Sequence, residues 1–400
     1  MVSYESYIAL LKARYPESAR ALSFEERLTP LLICPETISL PSALKTQAEE
    51  IVRAYFALRS LPERRRQLEA VEPAIADPGN TSALMSYDFH VDEHGQLRLI
   101  EINTNASLSL LVDALHEAHG ITNPFVANFR SDIVAVFREE FATSLASRAS
   151  VAGRSGPRSI AIVDDEPVSQ RLYIEFVLYR ELFGAAGFEA RICDAQELTL
   201  EKGELRAPGS PPFDLVYNRH TDFYLQAPAT TILREAMLAN AACLSPHPHE
   251  YRLLADKERL LELSRPGAIE KLDLTDTQKE ILRRSLIRTR EVKEFKTSDE
   301  LWAERKHWFF KPKRSFGGKA TYRGASISKS VFTKVFEGDY LAQEFVPAPE
   351  LELASGQVMK FDLRFFVYRD RIQLGCARLY QGQMTNTQTL GGGVTPILWI

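Results

Sequence analysis

Two carboxylates and one amide carry the first chemical signal. Asp88 lies in SALMSYDFHV, and Glu101 and Asn103 lie in QLRLIEINTN, two segments of alternating apolar and polar residues on either side of the turn Asp92 to Gly95. That pattern predicts a β-hairpin. With a two-residue turn at His94-Gly95, Asp88 stands directly across from Glu101. A four-residue loop makes the two acids diagonal neighbours on one face, and an odd-length turn separates them. Asn103 and Asn105 share the face of Glu101, because strand side chains alternate with period two. Like charges about 5 Å apart repel unless a cation sits between them. Oxygen donors of this kind suit Mg²⁺. A solvated hairpin face with ordinary surface acids is the alternative reading.

Three further segments carry chemistry. In WFFKPKRSFGGKATYRG an apolar strand delivers Lys311 and Lys313 to one side, and a basic loop with Ser315, Gly317 and Gly318 follows. Glycines let backbone N–H groups approach phosphate oxygens, and lysines neutralise them. A plain turn is the alternative. In YLAQEFVPAPELE a strand ends in Gln343, Glu344, Phe345 and Val346 before a proline loop reaches Glu350 and Glu352. Such a strand end can offer amides to an adenine edge and a carboxylate to ribose, or serve only as a linker between lobes. In KFDLRFFVYRD, Asp362 and Arg364 share a strand face, and Arg378 and Asn386 follow near a triple glycine. An Asp362–Arg364 ion pair is the structural alternative.

The elements that must position these residues follow from periodicity. Spacings of three and four predict a helix from Leu44 to about Ala70, with further helices around Leu108 to Ala118 and Asn128 to Ala146. The Arg/Ser/Gly-rich stretch Arg148 to Arg158 marks a domain boundary, and Arg206 to Pro212 a surface loop. SIAIVDD, a helix, EARICD and FDLVYNR then form an open α/β pattern with a parallel sheet. A helical stretch from Leu253 to Arg290 leads into a strand-rich region from Trp308 onward. The expected division is residues 1–150, 157–250 and 251–400.

The chain of 400 residues carries 49 basic and 53 acidic side chains, a net charge of −4, and 45% apolar residues. It can bury large cores, which excludes disorder, and it lacks the positive field of a nucleic-acid binder or an anionic-membrane binder. Small-molecule partners are expected. Four scattered cysteines without CxxC spacing argue for reducing cytosol rather than a disulfide framework. The opening MVSYESYIALLKARYPE reads as an amphipathic helix, and no apolar run reaches membrane-spanning length.

Together the four pieces resemble the ATP-grasp superfamily of carboxylate–amine ligases. There a lysine-bearing strand and a glycine loop close over ATP, a QEFV-type hinge holds adenine, and a D…ExN set binds magnesium. Here D…ExN comes early and TNTQTLGGG late, the reverse of the usual order. This resembles the circularly permuted branch that includes the glutathione synthetases and the glutathionylspermidine synthetase-like proteins. The implied fold is a permuted α/β ATP-grasp unit, with α+β lobes and an open α/β substrate domain.

The resemblance implies ATP and Mg²⁺ as cofactors, with Asp88, Glu101 and Asn103 on the metal. Lys257 (in DKERL) and Lys311 would contact nucleotide, Lys313, Ser315, Gly317 and Gly318 the phosphates, Gln343 to Val346 the adenine, and Glu350 the ribose in competition with Glu352. Arg364, Arg378 and Asn386 would meet phosphate or acyl phosphate. The implied reaction is ATP-dependent amide formation between a small-molecule carboxylate and an amine; a kinase on the same site and a non-catalytic nucleotide-binding regulator are the alternatives. The chain is shorter than the glutathione synthetases and lacks a Cys-His amidase segment, so neither substrate set carries over. AIVDDEP also resembles the start of a response-regulator receiver, but no phospho-acceptor Asp follows FDLVYN. Arg219 and His220 are loose candidates for a substrate carboxylate, and His247 and His249 are too few for a metal site.

Overall fold

The computed structural model describes residues 2–71, 75, 77–145, 156–314, 320–386 and 388–400. Helix α1 (Tyr4–Arg14) is capped by the Ser3 hydroxyl, which accepts from the Ser6 N–H. Strand β1 (Ile38–Leu40) precedes α2 (Ser42–Arg59) and α3 (Pro62–Val71), so the helix expected over Leu44 to Ala70 is two. Proline has no N–H to donate but starts a helix well, which explains the break just before Pro62. Helix α2 buries Leu44, Ala48, Ile51, Tyr55 and Leu58, one stripe at spacings of three and four.

The hairpin forms as β2 (Met85–Val91) and β3 (Leu97–Asn103), but by a route the turn alone does not predict. Asp92 N–H donates to Gln96 O and Gly95 N–H to Asp92 O. Near this odd-length loop Val91 pairs with Leu97 and Phe89 with Leu99. A bulge at Ile100 absorbs the extra residue, and beyond it Asp88 faces Glu101 and Ser86 faces Asn103. The bulge restores the register that the loop would have lost.

Helices α4 (Ser109–Ala118) and α5 (Phe129–Thr143) follow, the latter capped by Asn128. Most of the expected boundary, Arg148 to Arg158, lies outside the described residues. Strand β4 (Ser159–Asp164), helix α6 (Tyr173–Ala185), β5 (Glu189–Asp194), β6 (Leu215–Asn218) and β7 (Cys243–Ser245) build a parallel sheet in the order β5-β4-β6-β7. Every residue of β4 is buried, as a strand covered on both faces should be. A short hairpin, Thr199–Glu201 with Glu204–Arg206, reaches into the segment that reads as a loop.

The helical stretch expected from Leu253 to Arg290 is divided. A π turn (Tyr251–Ala255), α7 (Glu258–Leu263) and a helix over Asp276–Ser285 are interrupted at Pro266-Gly267, where Gly267 has φ 70°. Strands β8 (Thr289–Glu291), β9 (Trp308–Pro312), β10 (Tyr322–Arg323) and β11 (Tyr340–Glu344) form a small antiparallel sheet in the order β8-β11-β9-β10. Phe332 and Val335 of the helix Lys329–Glu337 close its core with Trp308 and Phe310.

Strands β12 (Glu350–Glu352), β13 (Val358–Tyr368), β14 (Arg371–Tyr380), β15 (Gly393–Thr395) and β16 (Ile397–Trp399) complete the chain. The central antiparallel sheet runs β15-β14-β13-β2-β3, with β12 on β13, so strands from opposite ends of the sequence share it. Strand β16 pairs in parallel with β1, and Cys34 N–H donates to Val394 O at 2.9 Å. Among the described residues no helix is long and apolar enough to cross a membrane.

Candidate active site

One face of the central sheet carries a lattice of charges. Register places Arg364 opposite Asp88, Asp88 opposite Glu101, and Arg378 opposite Asp362. Arg364 donates from Nε and Nη2 to the two Asp88 oxygens at 2.8 and 2.6 Å. Arg378 donates to Asp362 at 2.6 and 3.0 Å and to Asp88 at 3.0 Å. The Asp362–Arg364 pair suggested by sequence is replaced by these cross-strand pairs, because directly opposed positions lie closer than neighbours two apart on one strand. Burial pushes the Asp88 carboxyl up, but Arg364 and Arg378 outweigh it and hold it down at about 2. Burial likewise disfavours the Arg378 charge, and Asp362 and Asp88 more than restore it.

Asn103 Nδ2 lies 3.4 Å from Glu101 Oε1 and 3.5 Å from Asp88 Oδ2, so the D…ExN set converges. Its members differ in engagement, since both Asp88 oxygens already accept from guanidinium N–H groups.

Two lysines approach this cluster, Lys311 from the small sheet and Lys257 from the N-terminal cap of α7. Lys311, buried on β9, donates to Ile100 O at 3.3 Å, and Gln343 Nε2 donates to the same carbonyl at 3.4 Å. The bulge therefore aims a backbone oxygen at the lysine. Burial pulls the Lys311 and Lys257 ammonium groups below the usual lysine range, with Glu101 opposing the shift in both. Lys313 goes elsewhere. Strand β9 ends at Pro312, alternation stops, and the Lys313 ammonium joins Glu291, Glu258 and Asp339 at 3.0, 3.3 and 3.4 Å. Ser315, Gly317 and Gly318 lie outside the described residues.

These groups meet in one cleft of about 820 Å³, lined by Asp88, Glu101, Asn103, Lys257, Lys311, Arg364 and Arg378, and by the hinge Gln343 to Val346. Glu350 lines it and Glu352 does not. In the hinge, Glu344 N–H donates to Arg288 O and Phe345 N–H to His307 O, both at 2.8 Å, and Arg323 lies 4.3 Å over the Phe345 ring. Asn386 also lines the cleft, but its amide braces the surrounding loop: Nδ2 donates to Gln381 O and Met384 O, and Oδ1 accepts from Gln388 N–H.

The cleft wall also holds His90, which the sequence places on the hairpin face, and the Phe223–Tyr251 pair, which sequence reasoning passed over. His90 joins the cleft wall, and its Nδ1–H donates to the Val346 carbonyl at 2.9 Å. Its position two residues after Asp88 was a usable signal. Phe223 and Tyr251 stack at 4.5 Å between centroids, from segments with no sequence relation. Arg219 is a correction of another kind. It is buried and donates to Ala106 O, Tyr217 Oη and Ser107 Oγ, so its guanidinium is committed to structure.

The described cleft lining holds seven basic and five acidic side chains, a positive balance inside a chain of net charge −4. That balance suits a polyanion, and the oxygen donors of Glu101 and Asn103 suit a hard divalent cation. The cleft also reaches Arg171, in the loop after β4, and strand order in the parallel sheet reverses between β4 and β6. Open parallel sheets bind ligands at such reversals.

The architecture is a mixed helix-and-strand fold shared with a glutathione synthetase-like protein of solved structure. No protein-family model and no curated protein matches the sequence. Among solved structures, the chain is similar to a glutathione synthetase-like effector from Globodera pallida in apo form, over 99% of this chain and 96% of that one. The TM-score is 0.59 and the identity 12%, a likeness of fold. A putative gamma-glutamylcysteine synthetase from Methylobacillus flagellatus KT aligns over 91% of this chain and 89% of that one, with TM-score 0.48 and 10% identity. An ATP-grasp ligase solved with minimal precursor, Mg and ADP aligns over 60% and 88%, with TM-score 0.29 and 14% identity.

Proposed function

We propose that the protein is an ATP- and Mg²⁺-dependent carboxylate–amine ligase that forms an amide or peptide bond and releases ADP and phosphate, on a circularly permuted ATP-grasp unit. The observation that supports this best is the meeting of Lys257, Lys311, Glu101, Asn103, Arg364, Arg378 and the Gln343–Val346 hinge in one cleft, although they come from five separate stretches of sequence.

A free carboxylate is a poor electrophile, so its oxygen first attacks the γ-phosphorus of ATP. The bond to the β-phosphate oxygen breaks and ADP leaves, giving an acyl phosphate. The amine then attacks the acyl carbon, the C–O bond to phosphate breaks, and the amine gives up a proton. The chain's own residues supply placement and charge neutralisation. Glu101 and Asn103, with Asp88, would hold Mg²⁺, which offsets phosphate charge when bound. Lys257 and Lys311 meet the phosphates, and Arg364 and Arg378, oriented by Asp88 and Asp362, cover the transferring group. The hinge and Glu350 take the nucleoside. The acid and amine are taken at the β4/β6 end of the cleft, near Arg171.

Incubation with ATP, Mg²⁺ and pooled amino acids, polyamines and small peptides should release ADP and free phosphate in equal amounts and only with substrate. ADP without free phosphate would indicate a kinase, and no release across a broad panel would overturn catalysis.

A further inference from the structure

Contacts along β3 give the cleft a direction. The Ile100 carbonyl accepts from Lys311 Nζ and Gln343 Nε2, so the small sheet and its hinge strand meet β3 there. Glu101 and Asn103 follow on the cleft face. Asn105, further along the same segment, donates from Nδ2 to Arg219 O and His220 O at 3.4 and 3.2 Å. The hinge strand therefore meets β3 on one side of Glu101 and Asn103, and the loop after β6 meets it on the other.

That loop brings an aromatic face to the cleft. Phe223 is partly exposed, lines the cleft, and stacks on buried Tyr251 at 4.5 Å with 10° between the rings. The loop is braced on both sides of Phe223. The Asp222 carboxylate accepts from Ala227 N–H at 2.7 Å and from Thr230 Oγ1 at 2.6 Å, and Tyr224 Oη donates to Asp256, the residue before Lys257. Burial, Asp256 and Glu101 push the Tyr251 hydroxyl up, so this ring stands within electrostatic reach of the proposed metal acid. Leu108 and Ala255 line the same cleft. Leu108 has φ 81°, a disfavoured conformation for a bulky side chain, and Glu175 Oε2 fixes its N–H at 2.8 Å.

We infer that Phe223, backed by Tyr251 and joined by Leu108 and Ala255, is the specificity wall for the acid substrate, which carries an apolar, planar side chain. This rests on the ligase reading of the cleft and extends it to a substrate class. The reacting carboxylate must reach the γ-phosphoryl group beside Glu101 and Asn103. With the nucleotide on the hinge side, the rest of the acid extends toward Asn105 and Phe223. An aromatic ring packed on Phe223 gains more than its buried area alone supplies. A second carboxylate on this wall would lose water, and these four side chains offer it no positive charge.

The full chain saturated with Mg-ADP is titrated calorimetrically with L-phenylalanine and 3-phenylpropionate, and with L-glutamate and glutarate as their charged counterparts. At least one aromatic acid should bind tenfold or more tightly than its counterpart. Phe223→Ala should remove that preference while Mg-ADP affinity stays within twofold of wild type. If Phe223→Ala does not fold, the wild-type comparison decides. Aromatic acids binding no tighter than their counterparts, or a preference that survives in Phe223→Ala, would overturn the wall. Failure of Mg-ADP itself to bind would count against the ligase reading instead, and the same titrations without nucleotide would then decide the wall.

Discussion

Arg364 holds Asp88 with two parallel N–H donors, at 2.8 and 2.6 Å, across strands β13 and β2. The two residues stand 276 positions apart in sequence, so this bidentate pair fastens a late strand to an early hairpin. Arg378 adds a third bond to the same carboxylate. The lattice holds two guanidiniums in the cleft with their planes fixed.

Removing Asp88 would leave those partly buried guanidiniums short of an anion. Asp88→Ala should lose about 3–5 kcal/mol of stability, and a double variant with Arg364→Met should lose less than the sum of the single losses. Urea unfolding of the four proteins completes the cycle; additive losses would contradict the coupling.

Glu101 has a different environment, with Asn103 and two lysines as neighbours rather than an arginine clamp. Glu101→Gln should keep the unfolding midpoint near wild type and reduce Mg²⁺-dependent ADP release by about 100-fold or more. Parallel melting curves and coupled ADP assays test both halves. Turnover unchanged from wild type would remove Glu101 from the metal.

Lys311 is buried, and its ammonium is disfavoured by that burial. Lys311→Met should therefore raise the unfolding temperature of the nucleotide-free protein while weakening ADP binding roughly tenfold or more. Calorimetry and thermal shift with and without Mg-ADP check these opposite signs.

His116 gives a pH signature. It is buried, Nε2 donates to Gly375 O at 2.9 Å, and burial holds its ring down at about 4, below the usual 6.5. Between those values the unfolded chain takes up a proton that the folded state refuses. Stability should thus be full above pH 6.5 and fall as pH drops toward 4, by up to about 1.4 kcal/mol per unit from this group. His116→Gln, which retains an N–H donor, should flatten that slope in denaturant melts at pH 7.5, 6 and 5.

Gly393 has φ 107°, and a Cβ there would sit 2.5 Å from the backbone of Leu32. Gly393→Ala should cost a few kcal/mol, on the order of 1–3 from strain before the clash is counted. The loss should appear as a lowered unfolding midpoint, with ADP affinity per folded molecule unchanged. A selective loss of affinity would mean that this glycine belongs to the phosphate site.

Local chemistry determined much of this protein from sequence alone. The alternation around Asp92 to Gly95 specified a hairpin and the apolar run at residues 160–163 a buried parallel strand, and the types and spacing of Asp88, Glu101, Asn103, Lys311 and Arg364 raised the expectation of polyanion-and-metal chemistry. Such signals are legible because side-chain periodicity and residue type act over a few positions. Tertiary structure decided the rest. Only the Ile100 bulge put Asp88 opposite Glu101, since register depends on how the whole ladder pairs. The partner of Arg364 was settled by which strand lies beside β13. Lys313 left the cleft because β9 stops at Pro312, and the triple glycine presses Gly393 against Leu32. Phe223 met its stacking partner, Tyr251, from a segment beyond its own loop. Each of these is a contact between distant parts of the chain, and no local pattern encodes the packing that brings such parts together.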